Sequence, residues 1–75
     1  NPKYFGELFK KETGMNYSDY LSKYRIEAAE RLLRDVRNRI SEVGEMVGYK
    51  DSKYFSKLFK KMTGLSPAQY RKMFS

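Results

Sequence analysis

Lysine and serine side chains in one short stretch of the chain are well placed to bind another molecule. Residues 50–61 contain five lysines and one aspartate, a net charge of +4. On a helix, one face of this stretch would carry Lys53, Ser56, Lys57 and Lys60. Ammonium and hydroxyl groups donate hydrogen bonds to phosphate oxygens, and lysine also donates to O6 and N7 of guanine. The face therefore predicts a polyanionic partner.

The positive charge is concentrated on this element. The preceding residues 40–49 carry only Glu42 and Glu45, a net charge of −2, although the whole chain has 16 Lys and Arg against 9 Asp and Glu. Clustered cations gain affinity for nucleic acid because they release counterions from phosphate. Residues 23–39 are also basic, but their interleaved Glu and Arg are typical of a surface helix held by ion pairs. We therefore assign that stretch a structural role.

The basic element is the second copy of an internal repeat. Residues 3–14 return as residues 53–64, and an internal copy at fixed offset indicates one unit used twice. Both copies keep an apolar arc, formed by Tyr4, Phe5, Leu8 and Phe9 in the first and by Tyr54, Phe55, Leu58 and Phe59 in the second. The polar face of the first copy carries instead Lys3, Gly6, Glu7 and Lys10. A constant inner face with a varied outer face favours two recognition surfaces over two merely solvated helix faces.

Composition excludes several classes of site. The 75 residues contain no cysteine and no histidine, which removes disulfides, thiolate metal sites and histidine acid–base chemistry. We predict one small domain that is not an enzyme and has no catalytic residue, metal or cofactor. No apolar run approaches the roughly 18 residues of a membrane span, so we expect a soluble, cytoplasmic protein without a membrane partner.

The remaining pattern predicts an all-α fold. The predicted helices cover residues 1–14, 17–36, 40–47, 52–63 and 66–73. In the long helix the apolar stripe is predicted from Tyr17, Tyr20, Leu21, Tyr24, Ala28, Leu32 and Val36. We assign core packing to Tyr20, Tyr24, Tyr49 and Tyr70, in preference to base stacking, and gap filling to the four methionines.

Residues 40–63 have the form of a helix-turn-helix. A short helix is followed by a tight turn containing glycine and then by a capped amphipathic helix with a polar outer face. A generic corner between two helices could be built from the same signals. The charge of +4 on the second helix against −2 on the first favours the helix-turn-helix.

Several short sequence segments, distributed along the whole chain, resemble those of a known family. They are residues 4–14, Arg25-Ile26 to Leu32-Leu33, Val47-Gly48-Tyr49, residues 54–61 and Ser66-Pro67-Ala68-Gln69-Tyr70-Arg71. In this combination the chain resembles the AraC/XylS-type bacterial transcription regulators. The resemblance implies a DNA-binding domain of two helix-turn-helix subdomains joined by a long linker helix at residues 17–36. The first subdomain is expected to be incomplete, because its scaffold helix would precede residue 1.

The resemblance also implies roles for single residues. Recognition helices at residues 1–14 and 52–63 would enter successive major grooves of double-stranded DNA. Base contacts are expected from Lys3, Gly6, Glu7, Ser52, Lys53 and Lys57, to which helix geometry adds Ser56. Glu7 differs from the basic or amide side chain usual at its position, and could accept from a cytosine amino group. Backbone contacts are expected from Lys10, Lys50, Lys60 and Lys61.

Expected partners extend beyond DNA. RNA polymerase is a further partner, and an effector or receiver domain is expected in the full-length protein. The apolar face of residues 1–13 predicts self-association of the fragment or fraying there. The alternative function is a helical protein-interaction module that binds an acidic protein.

Overall fold

The structure, a computed structural model, describes Gly14 and residues 16–74. Within these residues the chain forms four α-helices and no strand: α1 (Tyr17–Arg34), α2 (Ile40–Met46), α3 (Ser52–Thr63) and α4 (Pro67–Phe74). The predicted all-α, helix-turn-helix fold class is confirmed. The helix predicted at residues 1–14 lies almost entirely outside the described part. None of the described helices is long and apolar enough to span a membrane.

Side-chain caps begin three of the helices. The Asn16 side chain accepts from the backbone N–H of Asp19 at 2.8 Å, and Asp51 accepts from Lys53 and Tyr54 at the start of α3. At α4, the Gln69 N–H donates to Ser66 Oγ while the Ser66 N–H donates to Gln69 Oε1, a reciprocal capping box. These bonds satisfy N–H groups that have no acceptor within the helix.

Helix α1 ends at Arg34, two residues before the predicted end at Val36. Asp35 is extended, and its carboxylate accepts from the Arg37 N–H at 3.0 Å. The Asn38 side-chain amide donates to the Leu32 carbonyl at 3.0 Å. Short polar side chains of this kind offer the backbone an alternative to helical hydrogen bonds, and here they end α1 early.

The core lies where α1 meets the other three helices. Its buried members are Ile26, Ala29, Leu33, Val43, Phe55, Phe59 and Tyr70. The predicted apolar stripe of α1 was wrong in part. Its member Leu32 packs against the core, but the buried residues of α1 are Ile26, Ala29 and Leu33, whereas Tyr24 is 58% and Val36 70% exposed. Apolar residues occupy much of the circumference of α1, so periodicity alone does not single out the face that packs.

Core packing is confirmed for two of the four tyrosines assigned to it. Tyr70 is buried and Tyr49 half-buried, but Tyr20 and Tyr24 are exposed. The methionine assignment was wrong for Met46, Met62 and Met73, which are all exposed, and Met15 lies outside the described residues. These side chains lie at helix ends or on faces of α1 and α3 that no described helix fully covers.

Candidate nucleic-acid interface

Helix α3 has one face in the core and the other in solvent. Phe55 and Phe59 are buried and Leu58 is half-buried. The rest of the helix carries six exposed polar residues, all of them predicted for the interface: Ser52, Lys53, Ser56, Lys57, Lys60 and Lys61. Lys50 is exposed in the turn before the helix. Seven of the eleven predicted site residues therefore lie on one continuous surface element.

The N-terminus of α3 is closed by its own cap. Asp51 Oδ1 accepts from the N–H groups of Lys53 at 2.9 Å and Tyr54 at 3.2 Å. A free helix N-terminus would attract a phosphate through such N–H groups. Because the Asp51 carboxylate already occupies this position, the outer face of α3 presents side chains to solvent rather than free N–H groups of the helix N-terminus.

A glycine sets the distance between α2 and α3. Gly44 is buried, and a Cβ atom at this position would lie 2.8 Å from Cγ of Phe55. The two helices can approach this closely only because Gly44 has no side chain. The Tyr49 N–H donates to the Gly44 carbonyl at 2.8 Å, and Gly48 has a φ of +106°, a conformation that glycine adopts without strain. The turn thus fixes where α3 begins.

Aromatic rings connect this turn to the rest of the domain. Ring centroids lie 5.9 Å apart for Tyr49 and Phe55, 5.8 Å for Phe55 and Phe59, and 5.5 Å for Phe59 and Tyr70, the last pair in an edge-to-face arrangement. Such pairs contribute about 0.5–1.5 kcal/mol beyond their buried area. The Arg25 guanidinium from α1 lies over the Tyr49 ring, 5.2 Å from its centroid. The orientation of α3 is therefore fixed through α1, the turn and α4.

Arg71 of α4 holds the loop between α1 and α2. Its Nε donates to the Leu33 carbonyl at 2.8 Å, and its Nη2 donates to the carbonyls of Asp35 at 3.1 Å and of Asn38. These bonds connect the C-terminus of α1 to the loop that leads into the helix-turn-helix. Sequence analysis assigned Arg71 no such role, because a contact across 36 residues leaves no trace in helical periodicity.

One ion pair in the loop perturbs a pKa. The Arg37 side chain donates to both carboxylate oxygens of Asp35, with Nη2 2.7 Å from Oδ2. These hydrogen bonds, together with the one from the Arg37 backbone, lower the pKa of Asp35 from 3.8 to about 2. The same contact raises the pKa of Arg37. The pair belongs to the loop that α4 holds, not to the outer face of α3.

The other predicted site residues belong to the first repeat. Lys3, Gly6, Glu7 and Lys10 lie outside the described residues. Tyr54, which the repeat assigned to the apolar arc, is 55% exposed. It is spaced three residues from Lys57 and seven from Lys61, so it borders the basic face. Its position at the edge of the apolar arc is the sequence feature that could have identified Tyr54 as a neighbour of the basic face.

Comparison with known proteins gives the family. The family described as "Helix-turn-helix domain" matches residues 1–73. The chain belongs to the AraC-type helix-turn-helix family. This membership confirms the resemblance seen in the sequence. AraC-type proteins are transcription regulators, so the prediction that the chain is not an enzyme is also confirmed.

Individual relatives agree with the AraC-type assignment. The chain is 38% identical over 72 residues to the uncharacterized HTH-type transcriptional regulator YtdP of Bacillus subtilis, covering 96% of this chain and 9% of that protein. It is 41% identical over 68 residues to the HTH-type transcriptional activator RhaR of Yersinia pseudotuberculosis, covering 91% of this chain and 23% of that protein. The chain thus spans less than a quarter of the length of these curated relatives.

A solved AraC-type structure has the same fold. The C-terminal domain of AraT, a response regulator from Geobacillus stearothermophilus, superimposes with a TM-score of 0.92 at 41% identity, covering 97% of this chain and 60% of that one. The chain is therefore a DNA-binding domain of the transcription-regulator type.

Proposed function

We propose that the chain binds double-stranded DNA with sequence preference, with α3 in the major groove. The observation that carries this proposal is the exposed outer face of α3, where hydroxyl and ammonium groups lie opposite the buried Phe55 and Phe59. An α-helix about 10–12 Å across fits the major groove, which is about 12 Å wide. The inner face holds the helix while the outer face is free to contact base edges.

Each side chain of the outer face has a role that follows from its position. Lys53 and Lys57 lie four residues apart on one face and donate to guanine O6 and N7. Ser52 and Ser56 donate to, or accept from, neighbouring bases or phosphates. The cations near the ends of the element, Lys50, Lys60 and Lys61, contact the phosphate backbone and position the helix.

The first repeat supplies a second reading surface in this proposal. Lys3 and Glu7 contact bases and Lys10 contacts a phosphate, as the family resemblance implies. The 18 residues of α1 extend about 27 Å, less than the 34 Å of one duplex turn. Two recognition helices held closer than the groove repeat favour DNA bent toward the protein, at a cost of a few kcal/mol.

Partners of the whole protein are also proposals. AraT is described as a response regulator and RhaR as a transcriptional activator. By analogy we propose a receiver or effector domain elsewhere in the protein, contact with RNA polymerase, and action in the cytoplasm. Self-association through residues 1–13 stays a proposal as well. Light scattering of the wild type and of Phe5→Ser with Phe9→Ser tests it, and a strictly monomeric wild type would contradict it.

Duplex titration tests the DNA-binding proposal. Duplexes selected from a random pool should bind more tightly than shuffled duplexes of the same composition. If about six phosphates are neutralised, log K should fall against log salt with a slope near −5. Equal affinity for all duplexes and for heparin would reject specific readout. That outcome, with tight binding to an acidic protein, would support the alternative interaction module.

A further inference from the structure

A groove of about 500 Å³ lies between the N-terminal half of α1 and one flank of α3. Its apolar floor includes Leu58 of α3. Hydrogen-bond donors converge on it from both helices, with Ser22 and Lys23 from α1 and Tyr54 and Lys61 from α3. Both lysines are exposed and Ser22 is half-buried. Two cations from separate elements thus share one concave surface, although the sequence analysis gave the stretch that contains Lys23 a structural role.

The groove adjoins the proposed base-reading face. Lys61 is one helical turn beyond Lys57, so it projects from the edge of the outer face of α3 toward α1. A helix that fills the major groove has a sugar–phosphate strand along each of its flanks, because helix and groove are of nearly equal width. The flank of α3 that faces α1 carries this groove.

We propose that this groove binds a backbone phosphate of the bound duplex, with Lys23 and Lys61 as its cations. The inference rests on the proposed function, since it places α3 in the major groove. The Lys ammonium groups act as point charges on the phosphate, and the hydroxyls of Ser22 and Tyr54 donate to its oxygens. Asp19 also lines the groove and repels the same phosphate.

Another groove among the described residues provides a contrast. It lies between α1 and the end of α2, and its lining includes Leu21, Ala28 and Val47 together with Glu45. Its Arg25 guanidinium already stacks on Tyr49. Each groove carries one acidic group, but this surface is more apolar and one of its cations is engaged by Tyr49, so a phosphate is expected at the groove between α1 and α3 rather than here.

Replacement of Lys23 tests the assignment, and Arg31 supplies a matched control. Arg31 is an exposed cation on the same helix that lines the other groove. Lys23→Gln should reduce the salt slope by about 0.9, which makes the affinity ratio of wild type to variant fall about threefold between 50 and 200 mM salt. The loss should be equal for selected and shuffled duplexes, because a phosphate contact carries no sequence information. Arg31→Gln should leave slope and affinity unchanged.

Two further measurements locate the contact. Single phosphates of the duplex are replaced by neutral methylphosphonates, and at one position the replacement should weaken the wild type more than it weakens Lys23→Gln, which keeps Lys61 as the remaining cation. Asp19→Asn should tighten binding, the opposite sign from Lys23→Gln. Thermal unfolding of each variant verifies that it is folded.

The possible failures are distinguishable. If the wild type binds no duplex, the proposed function fails. If the wild type binds but Lys23→Gln matches Arg31→Gln in slope and affinity, only the phosphate site is wrong. A change in base preference for Lys23→Gln would also overturn it, since a phosphate contact would leave the preference unaltered.

Discussion

The two faces of α3 are built for different tasks. On the inner face Phe59 packs against Phe55 and against Tyr70, so the residues of this face determine whether the helix is held in place. The side chains of the outer face are exposed and would contribute binding energy only in contact with the proposed DNA. The difference implies that stability and DNA binding are separable on a single twelve-residue helix: inner substitutions should change the free energy of unfolding, and outer ones the free energy of binding.

The inner face gives the largest expected effect. Phe59 is fully buried and contacts the rings of Phe55 and Tyr70. Phe59→Ala should lower the free energy of unfolding by about 3–5 kcal/mol, because it removes transfer free energy and leaves a cavity. Chemical denaturation measures this loss, with Lys57→Ala as the control on the outer face. A loss below about 1 kcal/mol would mean that the inner face does not hold α3.

Substitutions on the outer face should change the affinity for DNA and leave the free energy of unfolding nearly unchanged. If Lys57 reads a base, Lys57→Ala should weaken binding to selected duplexes by about 1–3 kcal/mol and relax preference at one base pair. Its free energy of unfolding should be nearly unchanged, since the side chain is exposed.

The first repeat offers a comparison with Lys57. Glu7→Ala should cost little, and Glu7→Lys should strengthen non-specific binding, because a carboxylate repels phosphates. Titration of all three variants with selected and shuffled duplexes measures these effects. Loss of binding in Glu7→Ala together with full binding in Lys57→Ala would reverse the ranking of the two reading surfaces.

Substitution of Gly44 tests whether the close approach of α2 to α3 stabilises the packing of the inner face. A Cβ atom would lie 2.8 Å from Cγ and 3.1 Å from Cβ of Phe55, atoms too near the backbone to move freely. Gly44→Ala should therefore destabilise the fold by about 1–2 kcal/mol, since overpacking outweighs the gain of up to about 1 kcal/mol in helix propensity. Thermal unfolding measures the change. A rise in stability would show that α2 and α3 can separate without cost.

A helix with a single apolar face is easier to predict from sequence than a helix whose apolar residues could pack on several faces. Both faces of α3 were predictable, because one apolar arc alternates with one basic face between a cap at Asp51 and a left-handed glycine at Gly64. Helix α1 was harder, since its apolar residues suit more than one packing face and only the fold selects Ile26, Ala29 and Leu33. The Arg71 hydrogen bonds and the groove between α1 and α3 join residues more than 30 positions apart, which local spacing does not encode.

Changes in the loop between α1 and α2 should have little influence on either face of α3. The expected effect on stability is the smallest of those considered. Hydrogen bonds from Arg37, with a smaller contribution from the charge of Arg71, lower the pKa of Asp35 from 3.8 to about 2. A carboxyl group whose pKa is lower in the folded state stabilises the fold above its unfolded pKa. Its contribution should therefore be present above about pH 4 and be lost as the pH falls toward 2. Because the pair is exposed, the change in thermal midpoint should be small.

An NMR titration of the Asp35 carboxyl group checks this directly. The wild-type midpoint should lie near pH 2, whereas in Arg37→Gln it should return toward 3.8, because the main hydrogen-bond donor is gone. Binding of selected duplexes at neutral pH should be the same for both proteins, since Asp35 is ionised in each and the outer face of α3 is untouched. A wild-type midpoint near 3.8 would contradict the ion pair in solution. A loss of DNA affinity in Arg37→Gln would instead show that the loop sets the position of α3. DNA binding would then depend on residues beyond the outer face of the helix, and it would be less separable from stability than the two faces of α3 indicate.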